Sequence, residues 1–228
     1  MKKTLLLVLI SFNLIPIYAQ STDFDETVKE KNNVLFVGPK VGVTFTSMTQ
    51  PKEVDLYDGN GLGLSGGLQA KTRFGRATEN SVAGTGLFGV ALELKYKQNK
   101  VKTTADKDLT ISYFEVPVLA QIYPLAHMSG VNPLYVELGA AFAGTLSKSP
   151  SELTVTNPAL YSEFTYHTGE LKGFDVRGIV GLGYTVPNVG FDINARYYLG
   201  TCKLAKNFPC KMNSFEVSVA YLFSVADF

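Results

Sequence analysis

One pattern constrains this chain more than any other: eight segments in which apolar and polar residues alternate strictly, with the charges kept to one side. The last segment, Ser214 to Phe223, displays it. Phe215, Val217, Val219, Tyr221 and Phe223 alternate with Glu216, Ser218, Ala220 and Leu222. A period of two puts the two sets on opposite faces of a β-strand. Aromatics at the ends of an apolar face are the mark of a strand crossing a bilayer between two interfaces.

Seven earlier segments follow the same rule, near Val37–Thr46, Leu62–Phe74, Phe88–Tyr96, Ser112–Tyr123, Leu134–Leu146, Phe174–Thr185 and Phe191–Leu199. Their apolar faces carry no charge. The opposite faces carry Lys40, Lys71, Arg73, Lys95, Arg177 and Arg196 against Glu93, Glu115, Glu137, Asp175, Asp192 and Glu216, six of each sign. A charge facing lipid costs roughly 2–4 kcal/mol at the midplane, so its exclusion from one face is expected of a membrane strand. An eight-stranded barrel is just filled by its inward side chains, and its charges must neutralise one another.

A soluble barrel with the faces reversed is the alternative, and the glycines oppose it. Gly42, Gly63, Gly67, Gly89, Gly139, Gly181 and Gly183 all fall on the polar face. On a solvated face they would only weaken the sheet, whereas inside a narrow barrel they make room for long charged side chains. The sequence therefore predicts an all-β fold: an eight-stranded antiparallel up-and-down transmembrane β-barrel. Pro117 removes a ladder donor from the fourth strand, which predicts a bulge or local break there.

The ends of the chain fit export. Lys2 and Lys3, the apolar run Thr4 to Ile17 and a small residue at Ala19 read as a signal peptide, residues 1–19. Residues 20–35 read as a polar leader and 36–228 as the barrel domain. The apolar run is too short to span as a helix. If the mature chain lies in a membrane it does so as a closed barrel, the arrangement that satisfies the backbone without helices. Net charge is +1 with 18% charged residues, so nothing in the composition suggests nucleic acid as a partner.

Several runs, V-G-P-K-V-G-V-T-F, S-Y-F-E-V-P-V-L-A-Q-I-Y, L-Y-V-E-L-G, G-I-V-G-L-G-Y and A-R-Y-Y-L-G, resemble the small outer-membrane barrel proteins of Bacteroidetes, a family with PorT-like relatives. The resemblance implies a barrel in the bacterial outer membrane with both chain ends periplasmic. It also implies outer-membrane lipid as surroundings and an envelope or secretion-complex protein as candidate partner. Chains of this kind usually stop at an aromatic such as Phe223. This one continues Ser224 to Phe228, so either the strand bulges or assembly tolerates a short tail.

Chemistry is sparse. Cys202 and Cys210 have neither zinc nor redox spacing, and in an exported protein they read as a structural disulfide. His127 and His167 fall at opposite barrel ends and cannot share a metal or a dyad. No cofactor, metal or catalytic set is expected, and the protein reads as non-enzymatic. The expected outer loops are 47–61, 97–108, 147–172 and 200–213. The longest holds Tyr161, Phe164, Tyr166 and His167 and is the candidate partner loop. Two functions remain open: a plugged barrel presenting loops for binding or envelope-complex assembly, or a narrow channel for ions or small solutes. A lipid-modifying enzyme is a weaker third.

Overall fold

The computed structural model describes residues 33–49, 57–74, 86–104, 107–125, 133–157, 162–186, 189–200 and 211–227. The predicted signal peptide and nearly all of the leader, His127, Tyr161 and both cysteines lie outside them. The elements are β1 (Asn33–Thr49), β2 (Tyr57–Phe74), β3 (Phe88–Thr103), β4 (Leu109–Ile122), β5 (Leu134–Ser149), β6 (Glu152–Asn157), β7 (Ser162–His167), a single 3-10 turn (Thr168–Glu170), β8 (Phe174–Thr185), β9 (Phe191–Gly200), β10 (Lys211–Tyr221) and β11 (Phe223–Asp227). Eight of the strands pair antiparallel with their neighbours in the order β10-β9-β8-β5-β4-β3-β2-β1, and β1 pairs back with β10 to close the barrel. β6 and β7 form a separate ribbon in the connection from β5 to β8.

The stagger fixes the barrel's size. A row of paired residues starting at Thr44 passes through Glu216, Arg196, Gly181, Glu137, Gln121, Gly89 and Arg73, and returns to β1 at Val34. The row has slipped ten positions along β1 in one circuit. With a rise of about 3.3 Å and strands about 4.8 Å apart, that slip needs a tilt of about 40° and a backbone radius of about 8 Å.

Burial alternates as the sequence pattern demands. Val41, Leu64, Leu92, Val118, Leu138, Val180, Ile193 and Val217 face outward and are exposed, while the intervening residues are buried. Cross-strand registers gather the outward aromatics into two belts. Phe45 faces Phe215, which faces Tyr197; Tyr96 faces Phe114. At the other end Phe74 faces Phe88 and Phe191 faces Tyr221. From Phe174 to Tyr184 in β8 the chain advances about 33 Å along the strand, or about 25 Å along the axis at this tilt, the height of a barrel's apolar band.

Several expectations need correction. Residues 97–103 are strand and not loop: β3 keeps pairing with β2 and β4 beyond the aromatic belt. The outer connections shrink accordingly. Thr49 and Tyr57 bound the first, and Ser47 to Thr49 and Tyr57 to Gly61 are strand. The longest connection is largely ordered as the β6–β7 ribbon and its 3-10 turn. At Pro117 the expected bulge or local break takes the second form. The β3–β4 ladder omits the pairs opposite Pro117 and Val116 and resumes in the same register; the shift in β4 lies instead at Ser112/Tyr113, against β5. After Phe223 the tail stays in the sheet and follows the bulged alternative, with a break at Leu222 and a register shift between Leu35 and Phe36 as β11 pairs with the start of β1.

Candidate functional site

The lumen is where the chain concentrates its chemistry. All twelve residues of the expected charge set are buried and point inward, from all eight barrel strands. Lys97, placed by β3's extension, is a seventh inward cation and is fully buried. The sequence reading missed it by ending the strand at Tyr96.

These charges form a lattice in three tiers. Near the end where β1 starts and β11 ends, Lys71 meets Asp192 at 2.7 Å, Tyr135 donates to the same carboxylate at 2.8 Å, and Arg73 stacks on Tyr123 while donating to the Gly86 carbonyl. In the middle, Arg196 bridges Glu93, at 2.7 Å, and Glu137, while Lys40 holds Glu93 at 2.8 Å. Above them Lys95 and Lys97 share Glu216, at 2.8 and 3.3 Å, and Arg177 bridges Glu115 and Asp175, each at 2.8 Å. Four tyrosine rings stack on these cations: Tyr135 on Lys71, Tyr123 on Arg73, Tyr198 on Lys95 and Lys97, and Tyr113 on Arg177. Such contacts strengthen when desolvated.

Some contacts span the full width of the barrel. β9 and β3 lie four strands apart whichever way one counts, yet Arg196 reaches Glu93 and Lys95 reaches the Tyr198 hydroxyl. β4 and β10 are likewise opposite, and the Tyr113 hydroxyl comes within 3.9 Å of the Met212 sulfur. A radius of about 8 Å makes this reach geometrically necessary for a filled interior. One wall of the lumen is apolar, formed by Ala91, Leu119, Ala141, Ile179 and Tyr198.

The glycines supply the space. A Cβ on Gly183 would collide with the Tyr135 ring, and one on Gly181 would lie 2.9 Å from both Arg196 Cγ and Glu137 Oε1. A Cβ on Gly67 would run into the backbone of Leu94 and Lys95. Small residues thus stand where the lattice presses closest to the wall.

The candidate partner loop is only partly in view. Phe164 and Tyr166 lie in β7, in register with Val155 and Leu153 of β6. His167 ends β7, exposed, with Nδ1 3.2 Å from Glu152. Leu153 is buried, and Thr168 ties the ribbon's base by donating to the carbonyls of Pro150 and Ser151. An open cavity of ≈ 420 Å³ beside that base is lined by Thr145, Ser147, Lys148, Ser151, Thr168 and Gly169. Lys148 does not project freely: it donates to the carbonyls of Gly169 and Leu171. Among the described residues no three His, Cys, Asp or Glu side chains are grouped so as to hold a metal.

Comparison with solved structures finds small barrels. Neisserial surface protein A shares 15% identity, with 84% of this chain and 97% of that one covered and a TM-score of 0.41. For the attachment invasion locus protein Ail of Yersinia pestis the values are 14%, 82%, 98% and 0.40, and for OprG of Pseudomonas aeruginosa 14%, 86%, 98% and 0.39. Likeness at this level says nothing about ligand or role. No curated protein matches the sequence. The family model described as "Outer membrane protein beta-barrel domain", however, matches residues 18–204. Closed eight-stranded architecture, a charge-free outward band and that match agree: the chain belongs to the outer membrane protein beta-barrel domain family.

Proposed function

We propose that this outer-membrane protein is a non-enzymatic, non-conducting anchor whose lumen is sealed by its own side chains and whose β6–β7 ribbon docks a protein of the cell envelope. The observation that carries the reading is the set of contacts across the barrel: Arg196 to Glu93, Lys95 to Tyr198 and Tyr113 to Met212 succeed one another along the axis. A lumen filled at three heights favours presentation of an outer surface over passage of solutes. The ribbon is the largest ordered feature among the connections described, and long ordered loops in compact domains are usually functional. Barrels of this type place long loops outside the cell, so the ribbon faces outward and the first nineteen residues are removed on export. The resemblance to Bacteroidetes barrels with PorT-like relatives favours a secretion or gliding-machinery component as partner.

Two measurements test this. Purified protein in a planar bilayer is expected to be electrically silent; a stable single-channel conductance would instead support the narrow-channel reading. Replacing Asn157 to Gly169 by a short Gly/Ser linker is expected to leave a folded, heat-modifiable barrel and to abolish its crosslinks in the outer membrane. Survival of every crosslink would move the binding surface elsewhere.

A further inference from the structure

Above the lattice, at the end bearing the ribbon, the inward face changes character. Met48, Val101, Leu109, Ile111 and Met212 follow one another on the inward positions of β1, β3, β4 and β10, and none is more than 4% exposed. They make an apolar septum, with Tyr113 reaching across beneath it to Met212. Directly under this septum lies a layer of buried polar atoms that receive no hydrogen bond and give none among the described residues: Thr46 Oγ1, Ser214 Oγ, the Asn99 amide, Lys97 Nζ, Arg177 Nη2 and Glu115 Oε2. Lys97 keeps its ion pair with Glu216 and its place over Tyr198, and Glu115 Oε2 stands 4.0 Å from Lys95. Neither contact has hydrogen-bond geometry.

The register places these atoms together. Thr46 faces Ser214 across the β1–β10 seam. Lys97 and Asn99 are successive inward positions of β3, and Lys97 shares Glu216 with Lys95. Arg177 donates to Glu115 through its other nitrogen, Nη1. In a barrel of about 8 Å radius these registers hold the six side chains at one level of the interior, around the Tyr113 ring that crosses it.

We infer that this level is a sealed hydration site: water bound around the Tyr113 ring, enclosed between the ionic lattice and the apolar septum. The guest must both donate and accept, because the atoms that face it include two cationic donors, a carboxylate oxygen, two hydroxyls and a complete amide. A bare anion would meet Glu115, and a bare cation would meet Lys97 and Arg177. Water satisfies all six, and buried water bridges such groups in ordinary proteins. The septum keeps this water from exchanging freely with the medium at the ribbon end, so the lumen is wet without being a conduit.

The test uses the full-length barrel folded in detergent micelles. Ser214→Cys is treated with a small charged methanethiosulfonate reagent, and peptide mass mapping reads position 214 separately from Cys202 and Cys210; Ser149→Cys at the exposed rim is the positive control. Position 214 is expected to be protected in the folded barrel and labelled once Met48→Ala and Met212→Ala open the septum, with heat-modifiable gel mobility verifying that each variant is folded. Labelling of position 214 with the septum intact would overturn the seal. Hydration is read independently by NMR. Magnetisation transfer from water to Thr46, Asn99 and Ser214 is expected in the native barrel, and its absence there, with transfer present at the rim, would overturn the water layer. The sign of one stability change bears on the same point. Thr46→Val with Asn99→Leu is expected to lower the urea midpoint by removing water-mediated bonds, whereas a raised midpoint would mean that the layer is dry.

Discussion

Replacement of Arg196 by Met is the perturbation that interrogates the lattice most directly. Arg196 is 0% exposed and ties Glu93 to Glu137, both also fully buried. Removing one member of a buried ion pair leaves an uncompensated charge and costs about 3–5 kcal/mol. The two carboxylates do not suffer equally. Glu93 retains Lys40 at 2.8 Å and Lys95 at 3.9 Å. Glu137 retains only an amide hydrogen bond, from Gln121 at 3.3 Å, among the described residues. Most of the penalty therefore falls on Glu137, and Glu137→Gln should recover the larger part of it in the Arg196→Met background. Glu93→Gln in the same background should recover little, because it strips Lys40 of its partner. The assay is urea unfolding in lipid vesicles followed by heat-modifiable gel mobility; tryptophan fluorescence is ruled out, since the chain contains no Trp. An Arg196→Met barrel within about 1 kcal/mol of wild type, below what breaking a buried pair costs, would refute the reasoning. So would equal rescue by the two glutamine substitutions.

Leu138 is 66% exposed and lies between the two aromatic belts on β5, so Leu138→Arg should destabilise the barrel in lipid by about 2–4 kcal/mol in the same assay. Unchanged stability there would defeat the assignment of that face to lipid. Gly183→Ala should destabilise because its Cβ enters the Tyr135 ring, and Tyr135→Ala should relieve much of that cost; a neutral Gly183→Ala would mean that the ring has room to move. Cys202 and Cys210 should be recovered as one linked peptide when the mature protein is digested without reductant, and two free thiols would reject the disulfide.

Most of the barrel was legible because lipid enforces the pattern. Between the belts no outward position carries a charge and nearly all are apolar, so the alternation is clean and each inward charge announces its face. Beyond the belts that pressure ends. In Lys97 to Thr103 the outward positions are Gln98, Lys100 and Lys102, no contrast with Lys97 and Asn99 survives, and a paired strand reads as a polar loop. The ribbon was hidden differently. Leu153 and Val155 alternate with Thr154 and Thr156, as Phe164 and Tyr166 do with Glu163 and Thr165, but six-residue strands rarely stand out within a long connection. Which cation meets which carboxylate was not readable at all. Lys40 finds Glu93 and Lys95 finds Glu216 because of a ten-position stagger that no local pattern records.

That stagger bears on how the protein is made. Lys95 and Glu216 are 121 positions apart, and Glu216 sits on the strand that closes the seam with β1. Until that strand docks, Lys95 and Lys97 have no Glu216 to meet. A slip of one position at the seam would turn Glu216 out toward lipid and Phe215 inward. The inward charges thus act as a checksum on closure: only one alignment of the two chain ends balances the interior. Final docking of β10 should therefore be abrupt, with half-zipped or misaligned barrels left exposed to the quality-control proteases of the envelope.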